Sequence, residues 1–317
     1  MALANSTYDL IADEYLATRI ENERLYRERL AKTYEAFPEL KKTDEDIMDL
    51  DLKMSLSSLK GLDATGIKEG IDDLKKKRSQ IISSEGIDPS YDKMIYTCPK
   101  CRDTGRIETE SGVFEKCSCF RQKESVFLLR EFGAAELLKK NNFSCMRTDI
   151  FDDDSREKFL KAVDYCRDFI DSFDKEYRNI MFFGSVGTGK SFLSCCIADE
   201  LLKSHHSVIY MSSKKFFDAL ADSEFSKDPN ADIIKERIYE CDLLIIDDLG
   251  TEMTNSFTCS ELFSVINERY NSRKSVIIST NLELSLLRDT YSDRIFSRIT
   301  GSYDIFKLSG SDLRNRT

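Results

Sequence analysis

The run Gly184-Ser185-Val186-Gly187-Thr188-Gly189-Lys190-Ser191 has the spacing of a phosphate-binding loop: a glycine, four residues, then Gly-Lys-Ser. Glycines let successive backbone N–H groups turn inward around phosphate oxygens, Lys190 supplies a point charge for the β- and γ-phosphates, and Ser191 offers a hydroxyl to Mg²⁺. Such a loop works only between a strand and a helix. The apolar run Ile180-Met181-Phe182-Phe183 precedes it, and a helix starting near Lys190 would add the positive end of its dipole.

Leu243-Leu244-Ile245-Ile246-Asp247-Asp248 supplies a second group. Four apolar residues read as a buried strand, and the C-terminal ends of parallel strands are where open sheets bind ligands. Asp247 is placed to hold Mg²⁺, directly or through water, and Asp248 to orient and deprotonate an attacking water. The next β-rich run, Val276–Thr280, ends in Asn281, whose neutral amide is suited to hydrogen-bond both a γ-phosphate and the lytic water.

Cys98-Pro99-Lys100-Cys101 and Cys117-Ser118-Cys119 form a second chemical unit, with fifteen residues separating the pairs. Four thiolates close a tetrahedral structural Zn²⁺ site, and a segment this poor in apolar residues needs such a staple. Asp103-Thr104-Gly105 lets the chain turn after the first pair. The remaining cysteines, Cys145, Cys166, Cys195, Cys196, Cys241 and Cys259, read as small packing residues, and His205 and His206 have no partner in register.

The elements that must position these groups follow from periodicity. Apolar residues recur at helical intervals from Tyr8 to Phe37, where Pro38 stops the pattern, and further helices are expected over 43–60, 67–83 and 122–140. Beyond the Asn141-Asn142 connector, helix alternates with short β-rich runs at 180–183, 208–211, 243–247, 276–280 and 303–308. That alternation predicts an α/β fold, a parallel sheet covered by helices on both faces. The organisation expected is a helical N-terminal region at 1–95, a zinc-binding module and linker helix at 96–140, and a nucleotide-binding domain at 141–317.

The 317 residues carry 47 Lys+Arg against 57 Asp+Glu, a formal net charge of −10, so sequence-independent coating of nucleic acid is disfavoured and any DNA contact is local. Only 96–144 leans basic, with nine basic and seven acidic side chains. No apolar run approaches the ~20 residues of a membrane span, and the N-terminus lacks a secretory pattern, so the expected setting is the cytoplasm with reduced thiols.

From 180 to 314 the sequence resembles AAA+ ATPases of the DnaC/DnaI/IstB group, bacterial helicase loaders and transposition helpers. The resemblance rests on Leu244-Ile245-Ile246-Asp247-Asp248-Leu249-Gly250-Thr251-Glu252, Ser279-Thr280-Asn281-Leu282, Asp293-Arg294-Ile295-Phe296-Ser297-Arg298 and Gly310-Ser311-Asp312-Leu313-Arg314, in the group's order and spacing. It implies ATP and Mg²⁺ as cofactors beside zinc. It also implies Arg298 as an arginine finger reaching a neighbouring subunit's γ-phosphate, Arg314 as a second sensor acting in cis, and therefore self-assembly into an oligomer or ring.

The implied activity is slow, assembly-dependent ATP hydrolysis by a loader that engages a DnaB-type replicative helicase and single-stranded DNA. Tyr210, Lys214, Lys215 and Phe216 are the DNA-contact candidates, since single strands need a basic track with stacking aromatics. The zinc module resembles the helicase-contacting N-terminal part of DnaI-type loaders. Two other activities fit the same residues: an IstB-type transposition helper, and a zinc adaptor switched by nucleotide with negligible turnover. The chain departs from the usual AAA+ pair, Asp-Glu, by having Asp247-Asp248, and only nine residues follow Leu308, too few for a helical lid.

Overall fold

The computed structural model describes residues 3–60, 63–110, 112–226, 229–310 and 312, with side chains placed from residue 9 onward and not for 229 and 230. By internal contacts the chain divides into two compact units, 13–104 and 1–12 together with 105–317. Helix α1 (Leu3–Ala36) is followed by α2 (Pro38–Leu59) and α3 (Thr65–Glu85). Pro38 does more than stop the first helix. It is the first residue of α2, where its fixed φ suits the helix and its missing N–H costs nothing.

In unit 13–104, Leu40, Ile87 and Tyr91 form a small core with Leu30, Tyr34, Phe37, Ile81 and Ile82 packed around it. Beside it Asp44 accepts hydrogen bonds from Arg78 Nε at 2.7 Å and from the hydroxyls of Tyr34 at 2.9 Å and Tyr91 at 2.5 Å. These bonds satisfy a carboxylate that packing has largely withdrawn from water.

The larger unit begins with an antiparallel hairpin, β1 (Arg106–Glu108) and β2 (Phe114–Lys116), and two helices, α4 (Ser118–Glu131) and α5 (Ala135–Lys140). The single helix expected over 122–140 is thus broken. Gly133, at φ +70°, ends α4 in the left-handed conformation that glycine adopts most cheaply.

Then follow α6 (Asp153–Asp171), β3 (Ile180–Phe183), α7 (Lys190–Lys203), β4 (Val208–Ser212), α8 (Ser213–Phe225), α9 (Pro229–Glu240), β5 (Leu243–Leu249), α10 (Ser256–Asn271), β6 (Ser275–Thr280), α11 (Leu284–Tyr291), α12 (Asp293–Ser302) and β7 (Asp304–Lys307). The five strands β3 to β7 form one parallel sheet in the order β4-β5-β6-β3-β7.

Alternation along the strands builds two cores. Ile180, Phe182, Val208, Tyr210, Leu243, Ile245 and Ile277 face α6 and α7 through Phe159, Val163, Cys166, Leu193 and Ile197. Met181, Phe183, Ile209, Met211, Leu244, Ile246 and Ile278 face α8 to α12 through Phe216, Leu220, Leu262, Ile266, Leu287 and Ile295. Strands buried on both faces read as continuous apolar runs, which is how they stand in the sequence. Among the described residues, no helix is long and apolar enough to cross a membrane.

Candidate nucleotide and metal sites

The glycine loop leaves β3 and enters α7 at Lys190, with Gly184, Gly187 and Gly189 at φ +130°, +75° and +96°. These angles curl the backbone into a cradle that side chains with a Cβ would strain. Lys190 is buried, and its Nζ donates to the carbonyl oxygens of Gly184 at 2.8 Å and Ser185 at 2.7 Å. Thr188 closes the loop by donating its hydroxyl to Ser185 O at 2.9 Å. An anion-binding nest, a helix N-terminus and a lysine therefore meet at one point, a donor set that fits the phosphates of a nucleotide.

Strand β5 lies two strands from β3 and delivers Asp247 to the same end of the sheet. Ser191 Oγ donates to Asp247 Oδ1 at 3.0 Å, and Ser279 donates to the same oxygen; Tyr210 OH donates to Oδ2 at 2.6 Å. The hard oxygens of Ser191 and Asp247, already paired, match what Mg²⁺ takes from protein. At Asp248 the ladder with β6 is irregular, between Ile246 and Leu249, and the backbone turns to φ +56°. Asp and Asn tolerate that region far better than longer side chains, a physical reason for Asp where the related pair has Glu. Asn281 Nδ2 donates to Asp248 Oδ1 at 3.5 Å, so both groups stand at the cleft mouth.

The cleft has a volume of about 670 Å³ and is lined by Gly187, Gly189, Lys190, Ser191, Asp247, Asp248 and Asn281. Leu137, Cys145, Ile150, Phe151 and Phe192 give it an apolar wall, and Asn141, Arg147 and Lys140 line it as well. Phe151 stacks on Phe159 with ring centroids 4.5 Å apart. The sequence reading gives Asn141-Asn142 as a connector and assigns no role in the cleft to the residues after it. The available signal is Ile150-Phe151, an apolar pair just before the domain's first helix.

Arg298 does not line this cleft. It borders a separate hollow with Phe263, Tyr270 and Arg294, where its guanidinium lies 4.6 Å from the Tyr270 ring centroid and donates to Asn267 Oδ1 at 2.6 Å. Arg314 lies outside the described residues. Of the residues considered for DNA stacking, Tyr210 and Phe216 are buried in the sheet cores, which corrects the expectation of an aromatic track there. Period-2 alternation turns Tyr210 inward, and Phe216 packs the inner face of α8. Lys214 and Lys215 are exposed, and Lys215 Nζ donates to Phe132 O.

The sulfur atoms of Cys98, Cys101, Cys117 and Cys119 all lie within 4.8 Å of one another. Tetrahedral Zn–S bonds of ~2.3 Å require sulfurs ~4 Å apart, so the set fits Zn²⁺. The turn after Cys101 is built by Arg102 and Asp103 at φ +50° and +58° and by Gly105 at +74°. Asp103 is buried, and its carboxylate accepts from Thr97 N at 2.9 Å, Cys98 N at 2.7 Å and Asn22 Nδ2 at 2.9 Å. Of the other cysteines, Cys166, Cys195, Cys196 and Cys241 are buried, and burial pushes each thiol upward, Cys195 to about 12.

The chain is similar to several known proteins. The phage-like element PBSX protein XkdC of Bacillus subtilis (strain 168) is 24% identical over 79% of this chain and 96% of its own length. The replicative helicase loader DnaC of Escherichia coli (strain K12) is 21% identical over 61% of this chain and 77% of its own. A crystal structure of the DnaC helicase loader superposes with a TM-score of 0.49 and 20% identity, covering 55% of this chain and all of that one. The family model described as IstB-like ATP binding protein matches residues 151–317, the phosphate loop, both aspartates and Asn281 included. That match spans more than half of the sequence, and the chain belongs to the IstB/DnaC-like family of AAA+ ATPases.

Proposed function

We propose that this protein is an ATP-dependent loader of a replicative helicase, acting in the initiation of DNA replication. The observation that carries the ATPase reading is the pairing of Ser191 with Asp247 at 3.0 Å beside the lysine-bearing loop, with Asp248 and Asn281 at the mouth. Mg²⁺, when bound there, neutralises phosphate charge. Lys190 holds the β- and γ-phosphates, Asp248 takes the proton of the attacking water, and the Asn281 amide orients it.

Arg298 acts on the nucleotide of a neighbouring copy, a reading supported by its place outside its own chain's cleft. Catalysis then requires assembly into an oligomer or ring. Residues 1–95 and the zinc module at 96–140 grip the helicase, while 141–317 hydrolyse ATP and engage single-stranded DNA. The relative named a replicative helicase loader supports the choice of partner.

The test is co-purification of the full chain with a DnaB-type helicase, together with ATP hydrolysis measured with and without single-stranded DNA. Binding and stimulation support the loader; absence of both refutes it. Arg298→Ala is expected to keep ATP binding and to lower assembly-dependent hydrolysis about 10³-fold.

The family model's description favours a second reading, a transposition helper that assembles on duplex DNA. Filaments on duplex DNA without any helicase would select it.

A further inference from the structure

Asp247 is held on both oxygens by hydroxyl groups from three different elements. Ser191 of α7 and Ser279 of β6 donate to Oδ1, and Tyr210 of β4 donates to Oδ2 at 2.6 Å. Ser191 is expected to contact the cation; the other two hydroxyls have no part in the chemistry described above. Tyr210 is only 4% exposed. It pairs in register with Ile245, so its ring shares the face of Ile245 and of Asp247, two residues further along β5.

The ring belongs to the apolar core on that face, where phenylalanine would fill almost the same volume. What a phenol adds is a donor aimed at Asp247. A phenol is protonated at neutral pH, and the 2.6 Å contact with a carboxylate oxygen makes its hydroxyl the donor. Ser279 shares Oδ1 with Ser191 and also accepts the Asp248 backbone N–H at 3.0 Å, which ties the Asp247 carboxylate and the Asp248 backbone to one strand.

We propose that Tyr210 is a positioning residue for Asp247: by occupying Oδ2 it fixes the carboxylate plane and presents Oδ1, already paired with Ser191, to a divalent cation. The proposal rests on the nucleotide reading above. The terminal torsion of an aspartate is broad, so a carboxylate held on one side only samples orientations that do not face Ser191. Partners behind a metal ligand typically account for 10- to 100-fold in metal affinity.

The experiment uses the full chain, wild type and Tyr210→Phe, with a fluorescent non-hydrolysable ATP analogue titrated in EDTA and then in rising Mg²⁺. The variant is expected to bind the analogue in EDTA as wild type does, while the Mg²⁺ needed for the half-maximal metal-dependent change rises about tenfold. A rise of threefold or more with unchanged EDTA affinity supports the assignment. A smaller rise, or an EDTA affinity that falls along with it, overturns the assignment and gives Tyr210 a structural role or none. Wild type that takes up no analogue under either condition overturns the nucleotide reading itself, an outcome distinct from a normal wild type with an indifferent variant.

Discussion

Gly184→Ala and Gly301→Ala place the same methyl group in two settings and should move stability in opposite directions. Gly184 follows β3 directly at φ +130°, and a Cβ there would overlap the Leu308 carbonyl oxygen, with the carbonyl carbon 3.0 Å away. Leu308 cannot retreat, because it is buried and its N–H donates to Phe183 O at 2.8 Å. Backbone strain at such a φ costs about 1–3 kcal/mol. Overpacking adds about 1–3 kcal/mol. The two together come to roughly 4 kcal/mol, or about 10 °C in Tm for a unit of this size.

Gly301 lies within α12 with nothing inside 4 Å of an added Cβ. Alanine there should raise stability by ~0.5–1 kcal/mol, through helix propensity and a less free unfolded chain. Parallel thermal melts of wild type and the two variants, followed by circular dichroism, read both effects. A Gly184→Ala protein melting within 2 °C of wild type, or a Gly301→Ala protein that loses as much as Gly184→Ala does, would refute the reasoning.

Three further outcomes are expected. Burial would raise the Asp242 carboxyl, but hydrogen bonds from Ser207 N and Oγ and the charge of Lys274 outweigh it and hold the group below its usual range. Its contribution is therefore complete above about pH 4 and lost as pH falls further. Asp242→Asn should flatten that part of the acid-denaturation curve by on the order of 1 kcal/mol, and an unchanged curve would remove Asp242 from the account. Cys98→Ser should lose one bound zinc per chain by elemental analysis while ATP binding persists; full zinc content in the variant would exclude Cys98 as a ligand. Cys145, exposed and lining the cleft, should react with a thiol reagent more slowly when ATP is present, and equal rates read by mass spectrometry would mean that nucleotide does not reach that wall.

The chemical units were legible in the sequence because each dictates its residue types. A phosphate cradle demands glycines before a Lys-Ser, a buried parallel strand demands an apolar run, and a cysteine staple demands its pairs. The strands of residues 180–307 and the two-faced sheet followed from those runs. What the sequence hid depends on local backbone geometry or on direction. Gly133 splits the expected 122–140 helix, and nothing in its surrounding sequence distinguishes a tolerated helix glycine from a left-handed terminus.

Tyr210 and Phe216 are DNA-contact candidates by residue type, since aromatics suit stacking, yet the pleat of β4 and the inner face of α8 turn them in. The hairpin Arg106–Glu108 with Phe114–Lys116 is too short to give a period. Asp248 is the instructive case. As sequence it reads as a shortened glutamate; its φ of +56° shows a backbone that suits aspartate.

The most direct measurement is calorimetric titration of ATP with Mg²⁺ into the full chain and into Lys190→Ala. Nucleotide held by the loop at Gly184–Ser191 predicts one site per chain in wild type and at least a hundredfold weaker binding in the variant, a loss of about 2.7 kcal/mol. Heat of binding that is absent from wild type, or identical in the two proteins, would contradict it.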